Sequence, residues 1–248
     1  MSKGQTTQRI ALWAGPRDIA TLMMYSFLSR DDAYAIDEPL HGYYLGFSGQ
    51  DRYYRDDVLK NMDIDPSRIV ETLTRCELNK PLLFTKHIAN QIIGLQWDFL
   101  TEFSNVILIQ EPSQMIRAYR KHIPGIDLLD LSYEVQYHIL LYLIEQGIEP
   151  IVVESSQLVE RPMEIMNQLC RKLNIEYRPE MLQWESGAKQ DDGIWAEHWY
   201  RELWTTERFQ DMNDEPEPDA IPQELGGLYE EALKHYLKLE RYALKPVS

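Results

Sequence analysis

Short apolar runs alternate with longer amphipathic segments along most of the chain. Each apolar run stops at a glycine, a proline or a polar residue, which is typical of buried strands. The first run reads RIALWAG and is followed directly by a proline. The predicted strands cover residues 9–15, 33–36, 81–86, 105–109 and 150–154.

Helical patterns lie between these strands. Residues 17–30 carry apolar side chains at helical spacing, and a second helix is predicted to begin near Pro112. Residues 132–146 end at Gly147, a common helix stop, and residues 162–173 form a further predicted helix. Because strands that alternate with helices favour βαβ units, the predicted fold class is α/β, with a central, mostly parallel sheet flanked by helices.

Three other segments lack this alternation. Residues 41–54, HGYYLGFSGQDRYY, are rich in tyrosine and glycine and are expected to form an irregular lid. Residues 211–225 begin with DMNDEPEPD and are predicted to be an exposed, acidic linker. Residues 226–243 are predicted to form an amphipathic helix that packs on the body or on a second subunit, so a homodimer stays open. We expect a single domain over residues 1–248 with its core at 9–210.

Composition narrows the function classes. The 248 residues carry a net charge of −15, which disfavours nucleic-acid binding because the chain repels phosphate backbones. No run is long and apolar enough to span a bilayer, and the polar N-terminus does not resemble a secretory signal. Cys76 and Cys170 stand far apart, as expected for thiols in a reducing cytoplasm. The six histidines form no close pair, which disfavours a metal site.

Polar residues follow four of the predicted strands. They are Gly15-Pro16-Arg17, Asp37-Glu38, Lys86-His87 and Gln110-Glu111. Ligands of open parallel sheets bind beyond the carboxyl ends of the strands. These four clusters are therefore expected to meet at one edge of the sheet and to form a binding site.

With these positions aligned, residues 9–210 resemble the sulfotransferase family, in particular a bacterial branch with a GPR-type first loop. The resemblance is carried by WAGPRDIATLMMYSF, DEP at 37–39, LLFTKH at 82–87, ILIQEPSQMIRAY at 107–119, VVESSQLVERP from 152, and GAKQDDGIWAEHWY at 187–200. It implies a P-loop-like three-layer sandwich. It also implies transfer of a sulfuryl group from 3′-phosphoadenosine-5′-phosphosulfate (PAPS) to a hydroxyl or amine of a small-molecule acceptor.

The first loop is the expected site of the 5′-phosphosulfate. A turn that feeds a helix N-terminus presents free backbone N–H groups and the positive end of the helix dipole. The resemblance assigns this role to Gly15, Pro16, Arg17, Asp18, Ile19, Ala20 and Thr21. Arg17 takes the place of the family's cationic residue, and Ala20 departs from the usual small hydroxyl residue. The alternative is a tight turn with a solvent-facing Arg17.

Two candidates for the catalytic base follow from the resemblance. Glu38 lies where members of this branch often have a base, and His87 lies near the base of other branches. Lys86 is expected to stabilise the leaving phosphate, and His41 lies close enough to Glu38 to share its task. The alternatives are that Glu38 only caps a turn and that His87 is a buried structural histidine.

The family's second phosphate motif is degenerate in this chain. The arginine and serine that read the 3′-phosphate are replaced by Gln110 and Ala118. Ser113 and Lys189 are the candidates to compensate, Lys189 because its segment resembles the family's glycine-rich C-terminal loop. This departure keeps open an enzyme that uses another phosphate-containing donor, and a non-catalytic binding protein on the same fold.

Aromatic side chains crowd the predicted loops. Tyr43 and Trp195 are the candidates, with His41, to line the acceptor pocket; Tyr44, Tyr53, Tyr54, Trp199 and Tyr200 lie nearby in sequence. Aromatic side chains line many small-molecule sites. The alternative is that they simply pack the loops onto the body.

Overall fold

Five parallel strands form one sheet in the order β2-β3-β1-β4-β5. The computed structural model describes residues 7–52, 54–121, 125–212 and 221–246. The strands are β1 (Gln8–Ala14), β2 (Ala33–Asp37), β3 (Leu82–Ile88), β4 (Ser104–Ile109) and β5 (Ile151–Glu154). Each overlaps a strand that the apolar runs predict, and the parallel sheet confirms the predicted α/β class.

Helices cover both faces of this sheet. They are α1 (Ala20–Leu28), α2 (His41–Ser48), α3 (Arg55–Asn61), α4 (Pro66–Arg75), α5 (Pro112–Arg120), α6 (Leu128–Leu131), α7 (Tyr133–Glu145), α8 (Ser155–Glu160), α9 (Pro162–Lys172), α10 (Ala196–Trp199) and α11 (Gly226–Glu240). None of the helices among the described residues is long and apolar enough to cross a membrane.

The side chains of β1 point alternately to the two faces of the sheet, and each face is covered by a layer of helices. Ile10 and Leu12 enter an apolar cluster built with α1, α8 and α9, whereas Ala11 and Trp13 enter another built with α4, α7 and α11. Successive side chains of a strand point to opposite faces, so one buried strand serves both cores. The result is the helix–sheet–helix sandwich that the resemblance implies.

The segment expected to be an irregular lid is largely helical. Residues 41–48 form α2, and Gly49 ends this helix at a φ of +67°, a conformation that glycine adopts at low cost. Residue 42 of this helix is a glycine because a Cβ there would come within 2.9 Å of the Asp63 carbonyl oxygen. The glycines therefore mark close packing and a helix stop rather than an irregular loop.

The C-terminal helix packs on the body of its own chain. Its Leu239 and Ala232 are buried against residues of α7 and α5. Most of the predicted acidic linker, residues 213–220, lies outside the described residues. On either side of it the chain forms short 3-10 turns, Phe209–Met212 and Gln223–Leu225.

Candidate active site

A cleft opens at the carboxyl edge of the sheet, where β1, β2 and β3 end. It encloses about 950 Å³ of empty space, its open mouth included. The lining residues from the strand ends are Gly15, Pro16, Arg17, Asp18, Glu38, Lys86 and Ile88, joined by Ala20 and Thr21 of α1. Three of the four polar clusters predicted from the sequence therefore contribute to one cavity.

The turn between β1 and α1 forms one wall of this cleft. Gly15 allows close packing, because a Cβ there would overlap the end of the Met115 side chain and force it to move. Arg17 has a φ of +59°, which is uncommon for a residue other than glycine and is concentrated at functional sites. No side chain of the described residues caps the start of α1, so its first N–H groups face the turn without a side-chain acceptor there.

Arg17 is turned along the wall rather than into solvent, since its side chain is only 17% exposed. Its Nη1 donates to the Trp199 carbonyl at 2.8 Å, and its Nη2 lies 3.4 Å from Glu202. Its buried Nε has no partner among the described residues. A guanidinium with an unused N–H is suited to binding an oxyanion.

Asp18 lies beneath the same turn. Its Oδ1 accepts from the Ile19 amide at 2.7 Å and lies 2.5 Å from Ser155 Oγ, while Oδ2 is buried without a partner among the described residues. Burial raises the pKa of this carboxyl to about 7. The charge of Asp18 under the turn between β1 and α1 therefore changes near neutral pH.

Lys86, near the end of β3, pairs with two carboxylates at the end of β2. Its ammonium lies 2.7 Å from both Asp37 Oδ1 and Glu38 Oε1 and donates to Tyr200 Oη at 2.6 Å. Burial alone would lower the pKa of Lys86, but the two carboxylates hold it well above its ordinary value. Burial likewise opposes ionisation of Glu38, yet Lys86 keeps the pKa of Glu38 below its ordinary value. Both groups are therefore charged at neutral pH.

Gln91 connects Glu38 to His41. Its Nε2 lies 2.6 Å from Glu38 Oε2 and 2.9 Å from His41 Nδ1, and the two hydrogens of one amide nitrogen serve both acceptors. This assignment leaves the imidazole proton on Nε2, which is buried without a partner among the described residues. Burial also lowers the pKa of His41, so the ring is a neutral N–H donor at the cleft.

Comparison with known proteins identifies the family of the chain. A family model described as a sulfotransferase domain matches residues 8–239. The chain belongs to the sulfotransferase domain family. The match confirms the family predicted from the motifs.

Solved sulfotransferase domains share the fold. The domain from the curacin biosynthetic pathway has a TM-score of 0.59 and 15% sequence identity, covering 94% of this chain and 98% of that one. The domain from the Synechococcus PCC 7002 olefin synthase has a TM-score of 0.53 and 14% identity, covering 92% and 96%. At such identities the similarity establishes the sulfotransferase fold alone.

Curated relatives are longer than this chain. Branched-chain-amino-acid aminotransferase-like proteins 2 and 1 of Arabidopsis thaliana are each 31% identical over 231 residues. The match covers 93% and 92% of this sulfotransferase chain but only 40% and 39% of the relatives. The chain thus spans about two fifths of their length.

His87, one of the two candidate bases, lies outside the cleft. Its ring stacks on Trp13 with centroids 4.4 Å apart, and its Nε2 lies 2.9 Å from Thr85 Oγ1. Burial lowers its pKa to about 3. Lys86 and His87 are neighbours in β3, so they point to opposite faces, and only Lys86 reaches the cleft.

Several other predicted site residues do not line the cleft among the described residues. Gln110 lies 3.4 Å from Gln114, and Ser113 accepts from Arg117 at 3.0 Å. Lys189 binds the Glu185 carbonyl, Ile19 packs in the core, and Tyr43 donates to the Ile93 carbonyl at 3.0 Å. Within the part of the chain that the structure describes, the turn after β4 therefore contributes no cation to the cleft.

Of the three residues predicted to line the acceptor pocket, two lie at the cleft and Tyr43 does not. His41 and Trp195 line the cleft, and Trp195 Nε1 donates to Tyr200 Oη at 3.2 Å. Tyr44, the helical neighbour of Tyr43, lines the cleft in its place because successive residues of a helix face different directions. Tyr53 lies outside the described residues.

Sequence reasoning missed several polar residues of the cleft, among them Arg52, Gln91, Tyr119 and Asp130. Arg52 belongs to the segment interpreted as a lid, and its charge next to tyrosines was an available signal. Gln91 lies in the 3-10 turn Ala89–Ile92, and no pattern in the sequence marks it.

Proposed function

We propose that this sulfotransferase-family enzyme transfers a sulfuryl group from PAPS to a hydroxyl or amine of a small metabolite. One observation carries the proposal: the Arg17 turn and the Glu38–Lys86 ion pair open into the same cleft. The first is an anion-binding element and the second contains a carboxylate base. The free thiols of Cys76 and Cys170 support a cytoplasmic location.

The turn after β1 fits the 5′-phosphosulfate end of the donor. Among the described residues, the Arg17 Nε has no partner and no side chain caps the first N–H groups of α1, so both are offered to the donor. Thr21 lies at the cleft surface. Helix N-termini combine such N–H groups with a favourable dipole for anions. PAPS supplies the sulfuryl group, whereas these residues hold and orient its anionic end.

Glu38 is the base in this proposal. As the acceptor oxygen or nitrogen bonds to sulfur, the bond from sulfur to the 5′-phosphate oxygen breaks and the acceptor's proton passes to Glu38. Because its pKa is low, Glu38 is ionised beforehand and takes the proton only as the attacking atom becomes acidic. Lys86 holds the carboxylate in place, and His41 offers an N–H to the developing negative charge.

A second candidate is an enzyme of the same fold that uses another phosphate-containing donor. The observation that favours it is the turn after β4, which contributes no cation to the cleft among the described residues. A charge-assisted contact of the kind expected there is worth roughly 1.5–3 kcal/mol. Its absence would weaken recognition of the 3′-phosphate.

Calorimetric titration separates these candidates. Adenosine 3′,5′-bisphosphate (PAP) and PAPS are titrated against the protein, with ATP and inorganic phosphate as comparison ligands. Binding of PAP and PAPS in preference to ATP supports the PAPS proposal. No heat with either compound at millimolar concentration refutes it, and tight binding of ATP instead supports the second candidate. PAPS binding without any turnover would indicate a binding protein.

A further inference from the structure

A connected polar network lies at the part of the cleft formed by α2, the α2–α3 connection and α5. Arg52 Nη2 lies 3.2 Å from Gln50 Oε1 and 3.3 Å from Tyr119 Oη. Gln50 Nε2 in turn donates to Tyr44 Oη at 3.1 Å. Arg52, Tyr44 and Tyr119 all line the cleft, so the network faces its cavity.

Both tyrosine hydroxyls accept a hydrogen bond within this network. Neither donates one to another group among the described residues. Each hydroxyl has a single proton, which therefore remains for a ligand. Burial raises the pKa of Tyr44 to about 12 and that of Tyr119 further, so both stay protonated as donors.

The charge of Arg52 is also available. No ion pair joins it to a carboxylate within the part of the chain that the structure describes. The nearby Asp130 feels the charge of Arg52, but its hydrogen bonds go to Gln50 and to the Asp127 amide. One guanidinium and two hydroxyl donors, all on one cavity wall, form a set that matches the oxygens of an oxyanion.

We propose that Arg52, Tyr44 and Tyr119 bind a carboxylate of the acceptor, so that the substrate class is a small acid with a hydroxyl or amine. The inference rests on the proposed function only in calling this molecule the acceptor. The network lies beside the base: Arg52 acts on the pKa of His41, and His41 is joined to Glu38 through Gln91. The acceptor's proton is removed at Glu38, so this side of the cleft belongs to the acceptor.

The test is a set of calorimetric titrations with matched probes. Three hydroxy acids, glycolate, 4-hydroxybenzoate and 4-hydroxyphenylacetate, are each compared with the corresponding amide. Each pair is titrated with and without saturating PAP, so that a failure of donor binding leaves the carboxylate comparison intact. We expect at least one acid to bind about tenfold or more tightly than its amide, a difference of about 1.4 kcal/mol.

Variants assign this preference to the network. Arg52→Gln should abolish it and Tyr44→Phe should reduce it, whereas PAP affinity should stay unchanged. Arg55→Gln and Tyr34→Phe are matched controls, since neither residue lines the cleft. No preference for any acid, or a preference that survives Arg52→Gln, overturns the proposal. Loss of PAP binding in Arg52→Gln also overturns it, because the network would then hold a phosphate of the donor.

Discussion

His87 is a buried neutral histidine, and its replacement should change how stability depends on pH. The ring stacks on Trp13 in the core between the sheet and α7, and burial lowers its pKa from 6.5 to about 3. His87→Phe keeps a flat ring against Trp13 but cannot bind a proton. The variant therefore removes the titration while it preserves most of the packing.

The expected magnitude follows from the two pKa values. As the pH falls below 6.5, the unfolded chain takes up a proton at His87 whereas the folded protein does not, so stability is lost on acidification. pH 5 lies about 1.5 units below the pKa of the unfolded histidine. At about 1.36 kcal/mol per unit, the free energy of unfolding therefore falls by about 2 kcal/mol. His87→Phe lacks this loss, whereas the contribution of His41 is common to both proteins and cancels.

Urea unfolding followed by tryptophan fluorescence at pH 7 and pH 5 measures the effect. The wild-type free energy of unfolding should fall by about 2 kcal/mol more than that of His87→Phe over this interval. His138→Gln, at an exposed position of α7, is the control and should follow the wild type. Equal pH dependence in His87→Phe and the wild type would refute the assignment of a neutral, buried ring.

Two further predictions concern residues of the cleft. Lys86→Met leaves two buried carboxylates without their cation and should lower the free energy of unfolding by about 3–5 kcal/mol. In the same urea assay Lys172→Met, which removes an exposed ion pair, should cost less than about 1 kcal/mol, and equal losses would contradict the account. Arg17→Gly should exceed Arg17→Ala in stability by about 1 kcal/mol, since only glycine adopts the positive φ without strain. Equal melting temperatures of these two variants would argue against the strained turn.

The sheet was predictable because its strands are buried on both faces. Such strands appear in sequence as short apolar runs, and β1 to β5 all overlap the runs that predicted them. Helix α2 was not predictable by the same means, since Tyr43, Tyr44, Gly42 and Gly46 are poor helix formers and tertiary packing decides their conformation. Tertiary packing of that kind cannot be predicted from a short stretch of sequence.

The cleft was only partly predictable. The rule that ligands bind beyond the carboxyl ends of strands found Arg17, Glu38 and Lys86. The alternation of side chains along a strand would also have placed Lys86 and His87 on opposite faces of the sheet. Which of these faces borders the cleft depends on distant segments, such as the one around Trp195 that also lines the cleft. Gln91 reaches the site from the 3-10 turn that follows β3, and Arg52 reaches it from the connection between α2 and α3. No spacing rule marks either residue.

The most direct test of the central claim is sulfuryl transfer itself. The protein is incubated with PAPS and a mixed extract of small metabolites, and mass spectrometry identifies compounds that gain one sulfuryl group. We predict such products with the wild type, a yield lower by about 100-fold or more with Glu38→Gln, and a retained yield with His87→Phe. No product with the wild type, or an equal yield with Glu38→Gln, would contradict the assignment of this cleft.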